Sequence, residues 1–499
     1  MALKWTGLAW VMFFCGSFAY FGWQSEQIER EHPSPAEWSY YTRTSWRAAW
    51  ARMDPDLNQS GIVDWAVVGT DFRHCLEKLE DPTSGGKGLR TLEESEGGEG
   101  VTVIPGVGRA GFDITEKSLE WRYGYFEVLM GCARAAEHLD DMVRDTTRKM
   151  VFPKDVMIGP SNPNPRPVTP NMHAAPLEEN CDRPYAPPET FYTRILTSKG
   201  FSTKQKLDAA LAYGNWLEYK RANDAAEEVY RWAVDISSSA IPSAELVVDS
   251  SSGILKDTAN TQATANLIRA STNLATHYAH SGNVTKALPI YLSVLRARRS
   301  APIDPNSIVG SRRKEGKEED YGAVYNFMRT FLRSSHIRLD SLTGDEPLSR
   351  PANLDADCFE AELMLYIGEI LFATATTRPD DGLGWTKQAV EVAQNGCLAK
   401  DSKTKEERSK CKECLDMGIT NWSKMVARLA AIEKDTEDRE GSTASGWKGW
   451  FGDSAKRIPD TKWQDEAVAV ETLRQKLSRD GIFQQMGASA SVPGSVWVG

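Results

Sequence analysis

Histidine and cysteine are scarce in this chain: 499 residues carry seven of the first and eight of the second. Eight cysteines over this length are too sparse for a disulfide scaffold. Cys15, Cys75, Cys132, Cys181 and Cys358 are scattered, and only Cys397, Cys411 and Cys414 cluster. Cys411-Lys-Glu-Cys414 has metal or redox spacing, but no second CxxC and no nearby histidine completes a tetrahedral site. The pair therefore reads as two small core residues one turn apart, with a disulfide or metal role as the alternative, and no metal is expected. Positive charge is also in deficit, with 59 basic against 69 acidic residues and a net charge of -10. That balance argues against a nucleic-acid partner.

Catalytic signatures are missing as well. The chain has no GxSxG, no HExxH and no P-loop, so no catalytic residue, cofactor or small-molecule substrate is expected, and the chain does not read as an enzyme. Gly106, Gly108 and Gly111 spell GxGxxG after Val101-Thr-Val-Ile104. Pro105 interrupts the handover, and an amphipathic helix follows instead of a βαβ unit, so the glycines read as a flexible turn. Glu137-His138 is a neighbouring pair in a helical segment and reads as surface.

What the sequence does contain is one seven-position pattern written twice. Ala210, Tyr213, Gly214, Leu217, Ala226, Tyr230 and Ala233 are matched by Ser271, Leu274, Ala275, Tyr278, Ala287, Tyr291 and Val294, with identical internal spacings. Offsets of three and four place the residues on one face of each of two short helices. Small residues at Gly214 or Ala275 let the partner helix approach, which is the tetratricopeptide (TPR) pattern. A third, worn copy follows at Met364, Ile367, Gly368, Leu371, Gly382, Thr386 and Ala389. A half-copy precedes the others at Trp65, Val68, Gly69 and Phe72, continued by Leu76 and Leu79. Trp121, Tyr125, Leu129, Cys132, Ala136 and Leu139 supply its second helix. Pro289 falls inside the second helix of copy two and predicts a kink or a late start there, and 258–267 reads as a lengthening of the helix before it.

The amino-terminal run from Trp5 to Trp23 holds 19 residues without a charge. At about 1.5 Å per helical residue it spans roughly 29 Å, close to the thickness of a bilayer core. Trp5, Tyr20 and Trp23 sit at its ends, where amphipathic aromatics prefer the interface. A single transmembrane anchor is expected, with Lys4 on the positive-inside face and the acidic flank and body across the membrane. Ser17-Phe18-Ala19 leaves a cleaved signal as the rival.

The reading is an all-α chain: a TPR-like α-solenoid of degenerate helical hairpins behind one transmembrane helix. Its segments are an anchor at 1–24, a helical region with a Gly and Glu rich insertion at 25–151, and a Pro-rich extended strap at 152–195. A helical array at 196–436, a Gly/Ser/Trp linker at 437–460 and a last helix and tail at 461–499 follow. Phe152 to Pro188 holds ten prolines and must run extended. Ala323 to Leu332 reads as helix, and Trp447, Trp450 and Phe451 as aromatics able to dock. Leu415, Ile419, Trp422, Val426 and Leu429 mark a helix that closes the array. The concave face of such an array is lined by first helices. Asp208, Asn215 and Tyr219 of copy one and Arg269, Thr272, Thr276 and His280 of copy two lie off the packing stripe and form the candidate protein-binding groove.

This arrangement resembles the adaptor subunits of the mitochondrial inner-membrane i-AAA protease supercomplex. The resemblance is carried by the anchor-plus-hairpin order, by Ile158-Gly-Pro-Ser-Asn-Pro-Asn-Pro-Arg-Pro167, and by Leu207-Asp-Ala-Ala-Leu-Ala-Tyr-Gly-Asn-Trp216 leading into Ala225-Ala-Glu-Glu-Val-Tyr-Arg-Trp-Ala233. It implies a body in the intermembrane space that helps deliver inner-membrane substrate proteins to an AAA protease. The alternative is a membrane-anchored TPR scaffold or co-chaperone of the endoplasmic reticulum. Sequons at Asn58, Asn283 and Asn421 would carry glycans only in that second case.

Overall fold

The computed structural model describes residues 2–54, 61–91, 111–168, 173–257, 262–303, 344–350, 357–374, 379–399, 405–444 and 462–479. Among these the chain is mostly helical, with five short strands. It divides into two compact units, Met1–Ile236 with Glu319–Gly344 and Ser237–Glu318 with Asp345–Gly499. The expected helix at 323–332, the aromatics Trp447, Trp450 and Phe451, and the glycines Gly106 and Gly108 lie outside the described residues.

The first unit begins with α1 (Ala2–Glu31), a helix of 30 residues. Trp10, Val11, Met12, Phe13 and Phe14 are all exposed on it. Successive residues are 100° apart, so five in a row leave no polar side to the helix. The expected transmembrane span is nevertheless not found: among the described residues no helix is long and apolar enough to cross a membrane. Tryptophan, tyrosine, glycine and serine dilute the apolar run, and the side chains of residues 1–9, 18 and 19 lie outside the described set.

The Glu29 carboxylate ties α1 to the body, beside a bond from Arg47 Nη1 to Ser25 Oγ at 3.1 Å. Glu29 is buried at the end of α1 and accepts from the Ser34 backbone N–H at 3.0 Å and the Ser34 hydroxyl at 2.6 Å. Arg43 Nη2 at 3.2 Å and Arg47 Nε at 2.6 Å reach it from α2 (Tyr40–Met53). Trp46 donates to the His32 carbonyl at 3.0 Å, and His32 stacks on Trp50 at 3.6 Å. Burial alone would raise the Glu29 pKa, but the hydrogen bonds from Ser34 and Arg47 outweigh it and hold the carboxyl below its ordinary value. Such a carboxylate contributes stability above the unfolded pKa, and that stability is lost as pH falls through the folded one. Glu29→Ala is expected to cost about 1–2 kcal/mol at neutral pH, because both arginines are partly solvated. Trypsin cutting at Arg43 and Arg47 should speed up, and equal cutting of both proteins would contradict the role given to Glu29.

Behind this joint α2 packs on α3 (Trp65–Glu80), which packs on α4 (Leu119–Leu139). Trp46 and Phe72 meet edge to face between α2 and α3. All six apolar positions expected on α4 are buried, as are Val68, Gly69, Phe72, Leu76 and Leu79 on α3, so the separated halves do form a pair. Strands β1 (Arg90–Thr91) and β2 (Phe112–Asp113) pair across the insertion. Strands β3 (Met142–Asp145), β4 (Met150–Pro153) and β5 (Cys181–Asp182) form an antiparallel sheet in the order β4-β3-β5. The Pro-rich stretch is thereby tied down at both ends. Beyond it Tyr185 is buried, donating to the Gly69 carbonyl at 2.9 Å with Arg73 4.3 Å over its ring. The stretch does not run extended throughout as expected: single 3-10 turns form at Lys154–Val156 and Glu178–Asn180, and an α-helix begins at Pro188, where the missing N–H of proline costs nothing in the first turn.

Next come α5 (Pro188–Thr197), α6 (Thr203–Tyr219) and α7 (Asn223–Ser239). A capping box starts α6: Ser202 Oγ accepts from Gln205 N at 3.2 Å and Gln205 Oε1 from Ser202 N at 3.0 Å. The turn from α6 to α7 closes with Ala222 N donating to Leu217 O at 2.9 Å, and Arg221 adopts φ 59. The unit boundary falls within α7.

The second unit contains α8 (Ala244–Val247), α9 (Ala265–His280) and α10 (Val284–Ser300). Thr264 caps α9, accepting from Leu267 N at 3.2 Å, so the expected lengthening over 258–267 does not occur. The α9–α10 turn repeats the earlier one: Asn283 N donates to Tyr278 O at 2.7 Å and Gly282 adopts φ 80. Arg221 and Gly282 hold the same repeat position, and only glycine takes this left-handed conformation without strain. Arg221→Gly is therefore expected to stabilise the first unit by about 1 kcal/mol, read as a higher urea midpoint; a lower midpoint would refute it. Helix α10 starts at Val284 with exposed Pro289 inside it and does not start late.

Helices α11 (Cys358–Thr374), α12 (Pro379–Leu398), α13 (Lys405–Ala444) and α14 (Lys462–Arg479) complete the unit. Helix α12 packs on α11 and on α13, and α14 on α13. A Cβ on Gly368 would lie 2.7 Å from Thr386 Oγ1 and 2.9 Å from the Gly382 carbonyl, so the two helices of the third hairpin approach closely there. Phe372, Leu383, Met425, Val426, Leu429 and Trp463 form one core at its end. Helix α14 inserts Trp463, Val470 and Leu477, spaced by sevens, and packs on α13, so the helix expected to come last is itself covered by another.

Candidate protein-binding face

All seven pattern residues of copy two are buried. In copy one Tyr213 is only half-buried, stacked between Tyr192 at 5.5 Å and Trp216 at 6.1 Å. This packing fixes which side of α6 and α9 is left over for other work.

In the first unit Tyr219 is 75% exposed at the end of α6. Its neighbour Lys220 pairs with Asp140 at 2.6 Å and Asp141 at 3.1 Å. Asp208 is half-buried beside Glu127 of α4, whose carboxyl is raised by burial, opposed by Arg134 and pushed further by Asp208. Glu137 on the same helix accepts from Tyr192 Oη at 2.6 Å and is also raised by burial. Its neighbour His138 stacks on Trp65 at 3.9 Å. The pair is thus engaged within the fold.

Asn215 has a different task from the one expected. It is exposed, yet its Oδ1 accepts from Tyr230 Oη across the hairpin at 2.6 Å. The equivalent in the second unit is Thr276, whose hydroxyl lies 2.9 Å from Tyr291 Oη. The premise that all seven residues lie clear of hairpin packing therefore fails for Asn215 and Thr276. Each pairs with the hydroxyl of a large buried tyrosine of its hairpin. Thr272 turns its hydroxyl back onto the Ile268 carbonyl at 2.7 Å, while Arg269 and His280 are exposed.

The same repeat position in copy three is Glu369, which sequence reasoning did not single out. The second-helix tyrosine has become Thr386, which bonds to the Gly382 carbonyl of its own helix at 3.0 Å. Glu369 accepts instead from the Asn421 side-chain amide of α13. Burial pushes its pKa up to about 7, against the pull of the Asn421 hydrogen bond and of Lys424 and His280. Glu362 one position row earlier, the counterpart of Asp208 and Arg269, accepts from Tyr366 Oη at 3.1 Å and Lys410 Nζ at 2.7 Å. Tyr366 in turn stacks on Tyr291 at 5.3 Å. The second unit thus brings His280 and Thr276 together with Glu369, Tyr366 and Asn421 from α9, α11 and α13. Extending the copy-two row into the worn copy would have found Glu362 and Glu369.

Cys411 is bonded to Cys358, a residue that stood among the scattered cysteines. Among the described residues no group of three or more His, Cys, Asp or Glu side chains could hold a metal ion. No protein-family model, curated protein or solved structure matches the chain.

Proposed function

We propose that this protein is a membrane-anchored TPR-like adaptor that binds proteins and helps deliver membrane substrates to an AAA protease of the mitochondrial inner membrane. One observation carries the reading: a helix with large apolar side chains exposed on every side is bolted through Glu29 to a body of helical hairpins. A helix that is apolar all round belongs in a lipid or protein interior, and hairpin arrays with polar inner rows hold other chains. The acceptors in such an adaptor are protein segments.

The protein should stay in the membrane pellet after carbonate extraction, and deletion of residues 2–24 should release it. Replacing Tyr219, Arg269 and His280 together by serine should cut recovery of the protease about tenfold, the loss of roughly 1.4 kcal/mol of binding, with the helical signal unchanged. Undiminished recovery would move the binding site elsewhere. The endoplasmic-reticulum reading has its own signature. Asn283 is exposed at the α9–α10 turn, whereas Asn421 is 1% exposed and engaged with Glu369. A glycan on Asn283 in the protein from its own cells would decide for that compartment.

A further inference from the structure

Cys358 is the first residue of α11 and Cys411 lies in the second turn of α13, 53 residues along the chain. The loop their bond closes contains the whole of α12, which packs on both helices. Cys414 stands one turn beyond Cys411 on the same side of α13, its Sγ 3.4 Å from the Cys358 carbonyl oxygen. Two sulfurs of α13 therefore aim at one position of α11. All three residues are almost completely buried, at 4% exposure or less. In the assembled unit they are closed to the active site of a folded partner protein.

We infer that the second unit is built through a thiol–disulfide oxidoreductase partner, which engages the Cys411-Lys-Glu-Cys414 turn before α13 closes on α11. The reaction begins when the Cys411 thiolate attacks the partner's disulfide. A mixed disulfide forms, and the partner's other sulfur leaves as a thiolate. The Cys358 thiolate then attacks Cys411 Sγ, forming the Cys358–Cys411 bond and expelling the partner's remaining thiolate. Two cysteine thiols of this chain are oxidised, the partner's disulfide is reduced to a dithiol, and the two protons lost by Cys411 and Cys358 are balanced, through solvent, by the two taken up by the partner's thiolates. Cys414, next in line on the same face, is the reserve nucleophile. Closure of the unit then removes it from play: burial pushes its thiol up to about 12, with Glu362 adding to the rise. The pairing is thereby protected from exchange once α13 has docked.

The inference does not rest on the adaptor reading, since it concerns how the unit is made and on which side of a membrane. The test is non-reducing peptide mass spectrometry of the full-length protein from its own membranes, alkylated on lysis. In the wild type Cys358 should be found joined to Cys411, with Cys414 unlinked. In Cys411→Ser, Cys414 should take over and appear joined to Cys358. A Cys414→Ser variant should keep the original pair and melt as the wild type does. Reduction should lower the melting temperature of the second unit by about 10 °C, given the length of the closed loop. Should Cys411→Ser or Cys358→Ser fail to accumulate, the wild-type and Cys414→Ser measurements still decide. Recovery of Cys358 and Cys411 as alkylated thiols in the wild type, or formation of the pair in cells depleted of every thiol oxidase, would overturn the inference. Protease capture by a protein whose cysteines proved reduced would leave the adaptor reading standing.

Discussion

Replacing Tyr291 with alanine is expected to destabilise the second unit by about 3–5 kcal/mol, the range for truncating a large buried aromatic. The ring is 1% exposed in the groove between α9 and α10 and stacks on Tyr366 of α11 at 5.3 Å, so its loss opens a cavity shared by two hairpins. Tyr291→Phe separates the two contributions of the side chain. It keeps the ring and removes only the hydroxyl opposite Thr276, which should cost about 1 kcal/mol. Tyr230 in the first unit is the matched control, with Asn215 in place of Thr276. Urea unfolding of the four variants reads both steps. Equal losses for the alanine and phenylalanine variants would mean that the hydroxyl, and not the ring, holds the hairpin.

The second large effect concerns pH. Glu369 titrates near 7 in the folded protein against 4.5 for an ordinary glutamate, because burial disfavours its charge. A carboxyl raised on folding binds a proton more tightly in the native state. Its stabilising influence is full below the unfolded pKa and is lost as pH rises through about 7. The interval corresponds to about 3 kcal/mol at most, with the lowering by the Asn421 hydrogen bond already contained in it. Glu369→Gln keeps the shape and an acceptor for Asn421 but cannot ionise. At pH 8 the variant should be more stable than the wild type by about 2–3 kcal/mol, and at pH 5 the two should nearly coincide. A wild-type stability that is flat between pH 5 and pH 8, or a variant less stable at pH 8, would contradict the placement of Glu369.

Much of this arrangement was legible in the sequence because hairpin packing repeats at the level of single side chains. The seven matched positions located α6, α7, α9 and α10, and even the left-handed turn recurs, at Arg221 and Gly282. Spacing alone did not reveal what the polar positions do. Asn215 and Thr276 sit off the packing stripe, yet they serve it through the tyrosine hydroxyls, a bond between helices that no periodicity within one helix announces. Cys358 looked isolated for the same reason: its partner is 53 residues away, and only the fold brings the ends of that loop together. Helix α14 was visible as a charged helix, but its three buried residues are seven apart, a sparse stripe among many charges. At the amino terminus the uncharged run was obvious, while its tryptophans and glycines make it less apolar than a typical span.

The account stands or falls on the left-over faces of α6 and α9 being where other proteins are held. Photo-crosslinking side chains introduced singly at Tyr219 and His280, on the first helices, and at Glu228 and Leu292, exposed on the second helices, test this in intact membranes. Crosslinks to the AAA protease or its substrates are expected from Tyr219 and His280 and none from Glu228 and Leu292. Crosslinks from the second helices alone, or from all four positions equally, would contradict it.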